Sequence, residues 1–120
     1  MTEKKKAIIF AYENGYRVKN GNVYYKHKIT PRKLFLHYKK KSDKLAYYSF
    51  GIRYENKRVE IYVHQLAAYQ KYGDDFLNSN LVVNHRDNNT LNNKEDNIIM
   101  VLPSGRTRLN NESISNNTSV

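Results

Sequence analysis

The chain lacks cysteine and carries no long hydrophobic run. Without cysteine, disulfide bonds, thiolate metal sites and cysteine nucleophiles are all excluded. Lys4–Lys6 is followed by only a short apolar segment, Ala7–Phe10, which is too short for a signal-peptide core and far below the roughly 18 residues of a membrane span. We therefore expect a soluble, cytoplasmic protein, and a length of 120 residues favours one compact domain.

Acidic residues are scarce in the first half of the chain. Residues 1–60 hold 16 Lys or Arg against 5 Asp or Glu, a net +11, whereas residues 61–120 hold 5 against 6, a net −1; the whole chain carries +10. A basic excess confined to one half is typical of nucleic-acid binding, with an anionic membrane or an acidic protein partner as weaker alternatives. The simplest alternative is a charged surface that only keeps the protein soluble.

Residue patterns predict an α+β fold. In the first half, Asn20-Gly21 lies between two segments rich in tyrosine and valine, which indicates a tight β-hairpin. In the second half, an apolar stripe predicts a short helix that ends at Gly73. The predicted strands are 16–19, 23–26, 33–38, 45–53, 58–62, 81–83 and 98–102; the helix is 64–72, a further helix begins at Pro103-Ser104, and turns lie at 39–44 and 55–57.

Asparagine is concentrated around and after the predicted strand 81–83. Eight of the twenty residues from Asn78 to Asn97 are asparagine, a residue that stabilises irregular loops by bonding nearby backbone and tolerating left-handed conformations. The strand ends in Asn84-His85. A histidine at a fixed position titrates near neutral pH and can act as a general base. The amide oxygen of Asn84 is a hard donor suited to Mg²⁺.

This region resembles the HNH family of endonucleases, which have the ββα-metal fold, and in particular its phage and homing-endonuclease-like members. Val63–Tyr69 (VHQLAAY) is similar to the family's "vHrLva" helix, and Asn84–Ile98 (NHRDNNTLNNKEDNI) is similar to its "nHiDgnklNNrleNL". The likeness covers residues 51–102. A weaker likeness to short phage HNH proteins extends to the hairpin at 15–28 and the strand at 47–53.

The resemblance implies a DNA endonuclease that hydrolyses phosphodiester bonds. It implies that His85 deprotonates the attacking water and that Asn84 is a ligand of a single divalent metal, Mg²⁺ or Mn²⁺. It also implies that Asn97, twelve positions after His85, braces the loop and orients the histidine. Asp87, Asn92 and Asn93 match positions that shape the loop. His64, at the start of the helix, is expected to pack or cap rather than to catalyse.

One position departs from the family pattern. The last metal ligand falls nine residues after Asn97, where this chain has Arg106, a cation that cannot bind a metal ion. Either the loop is longer and Asn110 or Asn111 supplies the oxygen, or the metal site has been lost. Arg106 is then a candidate for a direct phosphate contact. A second hypothesis is therefore a non-catalytic nucleic-acid-binding protein, such as a phage regulator or inhibitor, on an HNH scaffold.

The basic residues are expected to bind the DNA backbone. Arg86, next to the base, is the residue best placed to contact the scissile phosphate. We divide the chain into a basic antiparallel β part (1–62), an HNH-like ββα-metal module (63–111) and a flexible tail (112–120). The remaining predicted DNA contacts are Arg32, Lys33, Lys39, Lys40, Lys41, Arg53 and Arg58. Binding of an acidic protein partner instead is supported by charge alone.

Overall fold

A computed structural model describes residues 1–38, 45–78 and 80–103. Within these ranges the chain forms two helices and three small antiparallel sheets, which confirms the predicted α+β class. The elements are α1 (Glu3–Glu13), β1 (Tyr16–Lys19), β2 (Asn22–Tyr25), β3 (Phe35–Tyr38), β4 (Ala46–Tyr54), β5 (Lys57–Tyr62), α2 (Val63–Tyr72), β6 (Val82–His85) and β7 (Ile98–Val101), with short 3₁₀ turns at Gly73–Leu77 and Glu95–Asn97. One sheet pairs β1 with β2, the second places β4 between β3 and β5, and the third pairs β6 with β7.

Helix α1 was not predicted from the sequence. Its first turn is capped by Thr2, whose hydroxyl oxygen accepts a hydrogen bond from the Lys5 amide at 3.2 Å. Ala7 and Ala11, one turn apart, and Ile8 beside them are fully buried. The run Ala7–Phe10 is therefore part of an amphipathic helix, and the signal for it was the capping threonine followed by apolar residues at helical spacing.

Two-residue hairpin turns fix the register of β1 with β2 and of β4 with β5. Asn20 and Gly21 have φ values of 51° and 84°, the two positive values that a type I′ turn requires, and Val18 pairs with Val23 as a result. Glu55 and Asn56 adopt the same region, at 52° and 65°, between β4 and β5. The predicted strands are confirmed with their ends shifted by a few residues. The turn at 39–44 lies outside the described residues.

The three-stranded sheet has one half-paired strand. Strand β3 pairs with Ala46–Ser49 of β4, so the second half of β4 has β5 on one side and no strand on the other among the described residues. On that side the Arg32 guanidinium donates a 2.7 Å hydrogen bond to the carbonyl oxygen of Gly51. Arg32 therefore satisfies a backbone group that a neighbouring strand would otherwise bond.

One hydrophobic cluster joins both predicted parts of the chain. Ile8 of α1, Phe50 of β4, Leu66 of α2 and Ile98 of β7 are all fully buried in it. Residues on both sides of the division predicted at residue 62 belong to this one cluster, and the division itself stays a prediction. The tail 112–120 lies outside the described residues, as does the predicted helix beyond Pro103. Within the described ranges, no helix has the length and apolar character needed to cross a membrane.

Helix α2 is fastened to the first hairpin by one side chain. The Gln70 amide oxygen accepts a 2.8 Å hydrogen bond from the Val18 amide, and the Gln70 amide nitrogen donates a 2.9 Å bond to the Val18 carbonyl oxygen. The side chain thus bonds the edge of β1 as a neighbouring strand would. This clasp holds β1 against the helix that opens the HNH-like region.

We predict that Gln70→Ala destabilises the protein by about 1–3 kcal/mol, because it removes both bonds and leaves the backbone groups of Val18 without partners. Urea unfolding measures the change. Gln65→Ala is the matched control, since Gln65 is on the same helix and bonds no strand edge among the described residues. Equal effects of the two substitutions would contradict the clasp.

Candidate active site

His85 is the last residue of β6 and lies at the wall of a cleft. The backbone pairing of His85 with Ile98 of β7 fixes its position, and its side chain is only 4% exposed. Its ring nitrogen Nε2 lies 2.8 Å from the amide oxygen of Asn93. With its oxygen toward the ring, Asn93 accepts a hydrogen bond from Nε2–H, and the lone pair is then on Nδ1. In this tautomer Nδ1 is the ring nitrogen that can accept a proton.

Asn97 closes the loop that follows His85. Its side-chain oxygen accepts a bond from the Asp87 amide at 2.9 Å, and its amide nitrogen donates to the Asp87 carboxylate at 2.9 Å and to the Asn92 carbonyl at 2.7 Å. Its own carbonyl oxygen accepts a 2.8 Å bond from the Arg86 amide. Asn97 is 5% exposed, whereas its partner Asp87 is exposed, so these bonds lie at the boundary between the core and the surface. The residue therefore joins the two ends of the loop.

Asp87 is the charged partner in this network. Its carboxylate accepts from the Asn92 side chain at 2.9 Å, from the Asn89 amide at 2.8 Å and from Asn97. The hydrogen bond from Asn92, followed by that from the Asn89 backbone, lowers the pKa of Asp87 below its usual value. The carboxylate therefore stays ionised, and its stabilising effect is present above the ordinary aspartate pKa and is lost as the pH falls through the lowered one.

The loop is also attached to the rest of the fold. The Lys71 ammonium of α2 donates to the carbonyl oxygens of Glu95 and Ile98, at 2.8 and 3.0 Å. Burial is the main cause of the lowered pKa of Lys71, and it outweighs the opposite effect of the nearby Glu95 carboxylate. On the other side, the Thr90 hydroxyl bonds the carbonyl oxygen of Ala46 in β4. These contacts fix the loop relative to both α2 and the three-stranded sheet.

Aromatic side chains surround the His85 ring. The ring of His64, in the first turn of α2, lies 5.2 Å from that of His85. The His64 ring also lies 5.1 Å from the Tyr47 ring and is stacked on the Tyr62 ring at 5.5 Å. Burial, and then the positive form of His85, lower the pKa of His64 to about 3. His64 is therefore neutral at physiological pH.

The cleft beside these rings has a volume of about 470 Å³. His64, Asn84 and His85 line one part of it, and Lys4 and Lys5 of α1 line another. The cleft therefore combines a candidate base, a hard amide oxygen and two cationic side chains. This set of groups fits an anionic substrate that is attacked by water.

The described residues supply few ligands for a metal ion. Within 1–38, 45–78 and 80–103, no group of three or more His, Asp or Glu side chains is arranged to hold one. Asn84 is half-buried and contributes one neutral oxygen to the cleft. This donor is compatible with a divalent cation only if a bound substrate supplies further oxygens, as phosphates do at many Mg²⁺ sites. Arg106, Asn110 and Asn111 lie outside the described residues.

The predicted DNA contacts do not all gather at the cleft. Arg32, Arg53 and Arg58 line a separate depression of about 400 Å³ around Gly51. Arg32 is bonded to the Gly51 carbonyl, and the Arg58 guanidinium lies 3.5 Å from the Glu60 carboxylate. Lys33 lies over the Phe35 ring, and Arg86 is exposed beside the loop. Lys39, Lys40 and Lys41 lie outside the described residues.

Sequence reasoning missed three features of this site. It treated Asn93 as a loop-shaping residue, whereas Asn93 forms the hydrogen bond to the His85 ring. It expected His64 to pack or cap, and the ring does pack, but against His85 itself. It assigned no role to Lys4 and Lys5, because their helix was not recognised. The paired asparagines Asn92-Asn93 in the family motif were the available signal for the first of these.

We predict that Asn97→Ala destabilises the protein by about 1–3 kcal/mol, since it removes three part-buried side-chain bonds that hold the loop. Asn97→Asp is expected to be destabilising too, because it places a second carboxylate against Asp87. Chemical unfolding measures both. Asn80→Ala, at an exposed position of the same asparagine-rich segment, is the control and should change little. A neutral Asn97→Ala would show that the loop does not depend on this residue.

We predict that the stability of the protein falls as the pH drops below about 6.5, in part because of His64. An unfolded histidine binds a proton near pH 6.5, whereas folded His64 resists protonation down to about pH 3. At pH 4.5 this difference costs about 2–3 kcal/mol of folding stability. Thermal unfolding between pH 7 and pH 4.5 should show a shallower loss for His64→Phe. His27→Gln, at an exposed site, should keep the wild-type slope; identical slopes for all three proteins would refute the assignment.

Comparison with known proteins shows which proteins this site is similar to. Residues 61–104 match the family described as HNH endonuclease. Among solved structures, the chain is similar to the HNH homing endonuclease I-HmuI, in a structure described as DNA binding and cleavage by that enzyme, with 29% identity and a TM-score of 0.58. The match covers 78% of this chain and 49% of that one, so the chain spans about half the length of I-HmuI. No curated protein matches the chain. The matched residues contain the whole described loop from His85 to Asn97, and over this region the chain is similar to the HNH endonuclease family.

Proposed function

We propose that the protein is a DNA-binding endonuclease that hydrolyses phosphodiester bonds with His85 as the general base. The observation that carries the proposal is the buried hydrogen bond between His85 Nε2 and the Asn93 oxygen, which orients the ring of a histidine that lines a cleft shared with two lysines. A histidine that only packed in the core would not need a fixed tautomer at the wall of a basic cleft. The family resemblance favours action in the cytoplasm of a bacterial or phage-infected cell.

In the proposed reaction, His85 Nδ1 takes a proton from a water molecule whose oxygen attacks phosphorus. The phosphorus–oxygen bond on the opposite side breaks, and the leaving sugar oxygen takes up a proton from solvent. The imidazolium that forms still donates its Nε2 proton to Asn93, so the orienting bond persists through the step. Neutral His64 adds no second positive charge beside it.

HNH endonucleases are typically metal-dependent, and we propose the same for this chain, with Mg²⁺ or Mn²⁺ as the cation. Asn84 is the described residue that would hold it, together with phosphate oxygens of the bound DNA. When bound, such a cation neutralises charge on the phosphate and stabilises the leaving oxygen. Asn97 is proposed to act indirectly: it does not bind the substrate but holds the loop that carries Asn93.

Binding of the DNA backbone is proposed for the basic first half. Arg53 is the most available of the three arginines around Gly51, since its one described bond is a long 3.4 Å contact to the Asn56 carbonyl. Arg32 and Arg58 are partly engaged within the protein and would need to exchange those contacts for phosphate. Arg86 is exposed next to the candidate base and is the proposed contact nearest the scissile phosphate.

A second candidate function is a DNA-binding protein without catalytic activity on the same scaffold. The specific observation in its favour is the donor set of the cleft, which among the described residues contains neutral oxygens such as that of Asn84 and no carboxylate. Such a protein would retain the basic surface and the braced loop. It would bind DNA with the same salt dependence and leave it uncut.

We predict that the wild-type protein nicks supercoiled plasmid DNA when Mg²⁺ or Mn²⁺ is present and that His85→Ala lowers the rate by about 100-fold or more, because the base is lost. Agarose-gel conversion of supercoiled to open-circular DNA measures the rate. His27→Ala, an exposed histidine, is the matched control and should cut normally. If wild type and His85→Ala both bind DNA and neither cuts above background, the nuclease proposal is wrong and the second candidate stands.

A further inference from the structure

Helix α1 forms part of the candidate active site although it lies outside the family match. The match begins at residue 61, whereas α1 spans Glu3–Glu13. Its first turn nevertheless lines the same cleft as His85, through Thr2, Lys4 and Lys5. Helix α1 therefore brings basic side chains to the cleft that the matched residues 61–104 do not contain.

The two lysines are held over the cleft by backbone carbonyls. Lys4 Nζ donates to the carbonyl oxygen of Glu60, at 2.9 Å, and Lys5 Nζ donates to that of Leu77, at 3.4 Å. These carbonyls belong to β5 and to the end of the first 3₁₀ turn, so the ammonium groups are fixed relative to α2 and its flanking segments. A carbonyl carries only a partial charge, and each ammonium keeps its positive charge available for an anion.

The neighbouring lysine differs in this respect. Lys6 Nζ lies 3.4 Å from the Glu3 carboxylate, so a full negative charge offsets its own. Within the described part of the chain, neither Lys4 nor Lys5 forms an ion pair with a carboxylate. Lys6 also does not line the cleft. The same helix thus carries two cations without acidic partners in the cleft and one compensated cation outside it.

A short path of aromatic contacts leads from Lys4 to the candidate base. Lys4 Nζ lies 6.0 Å from the centre of the Tyr62 ring, the Tyr62 ring stacks on His64, and His64 lies next to His85. Lys5 lies on the other side, with Nζ 5.6 Å from the Phe76 ring. Both ammonium groups are therefore placed to meet an anion that enters the cleft beside His85.

We propose that Lys4 and Lys5 bind a backbone phosphate of the DNA strand that is cut, adjacent to the scissile bond, and so position that bond against His85. The inference rests on the proposed DNA-binding function. Lysine suits this role as a compact charge that contacts phosphate without a required angle. The two residues bind the substrate and take no part in the proton transfer.

The test compares Lys4→Gln and Lys5→Gln with Lys6→Gln, which removes the same charge from the same helix. Binding of a short DNA duplex is measured over a series of KCl concentrations, and nicking is measured in a single turnover at saturating protein. Loss of one phosphate contact should reduce the slope of log affinity against log salt by about one for Lys4→Gln and for Lys5→Gln, and leave it unchanged for Lys6→Gln. Lys4→Arg and Lys5→Arg, which keep the charge, should restore the slope and show that folding is intact.

The outcomes separate this inference from the proposed function. If wild type binds and cuts, and all three glutamine variants behave alike, the two lysines have no special role and the inference is wrong. If wild type binds without cutting while only the Lys4 and Lys5 variants lose slope, the phosphate contact is supported and the nuclease proposal fails. Absence of any binding by wild type at low salt would overturn both.

Discussion

The bonds made by Asn97 are the constraint on which the rest of the site depends. The loop from Arg86 to Asn97 has no regular sheet or long helix to hold it, and it reverses the chain between β6 and β7. Asn97 joins its ends through Asp87 at one side and Asn92 at the other. Asn93 follows Asn92 directly, so the same closure places the oxygen that orients the His85 ring. A side chain that does not line the cleft thereby fixes the hydrogen-bond partner of the His85 ring.

The site is assembled from four parts of the chain that share one hydrophobic cluster. Strand β6 supplies His85, the loop supplies Asn93, α2 supplies His64, and α1 supplies its lysines. Because the cluster contains residues from each of the two helices and from β7, the cleft cannot form before these elements pack together. A small protein of this kind therefore couples the geometry of its site directly to its overall fold.

Much of this arrangement was predictable from local sequence. Asn20-Gly21 indicated a hairpin because its backbone conformation is intrinsic to those residues, and the apolar stripe of α2 indicated a helix for the same reason. His85 and Asn97 were recognisable because the motif preserves both residue type and spacing. The partner of His85 was not predictable from local rules. The loop contains several asparagines that can form similar hydrogen bonds, and only the folded chain decides which of them faces the ring. The cleft contribution of α1 depends on contacts between residues about 60 positions apart, such as Lys4 with Glu60.

The half-paired strand β4 has a consequence for how the protein behaves in solution. An edge with free amide and carbonyl groups is a template onto which a strand of another molecule can add, and this is a common route to aggregation. Arg32 occupies that edge at Gly51 with a charged, bulky side chain. Phe50 and Ile52 on either side of Gly51 are 0% and 5% exposed, so little of this edge is left open to another molecule. An arginine that the sequence suggested for DNA binding thus has a second, structural role in covering a strand edge.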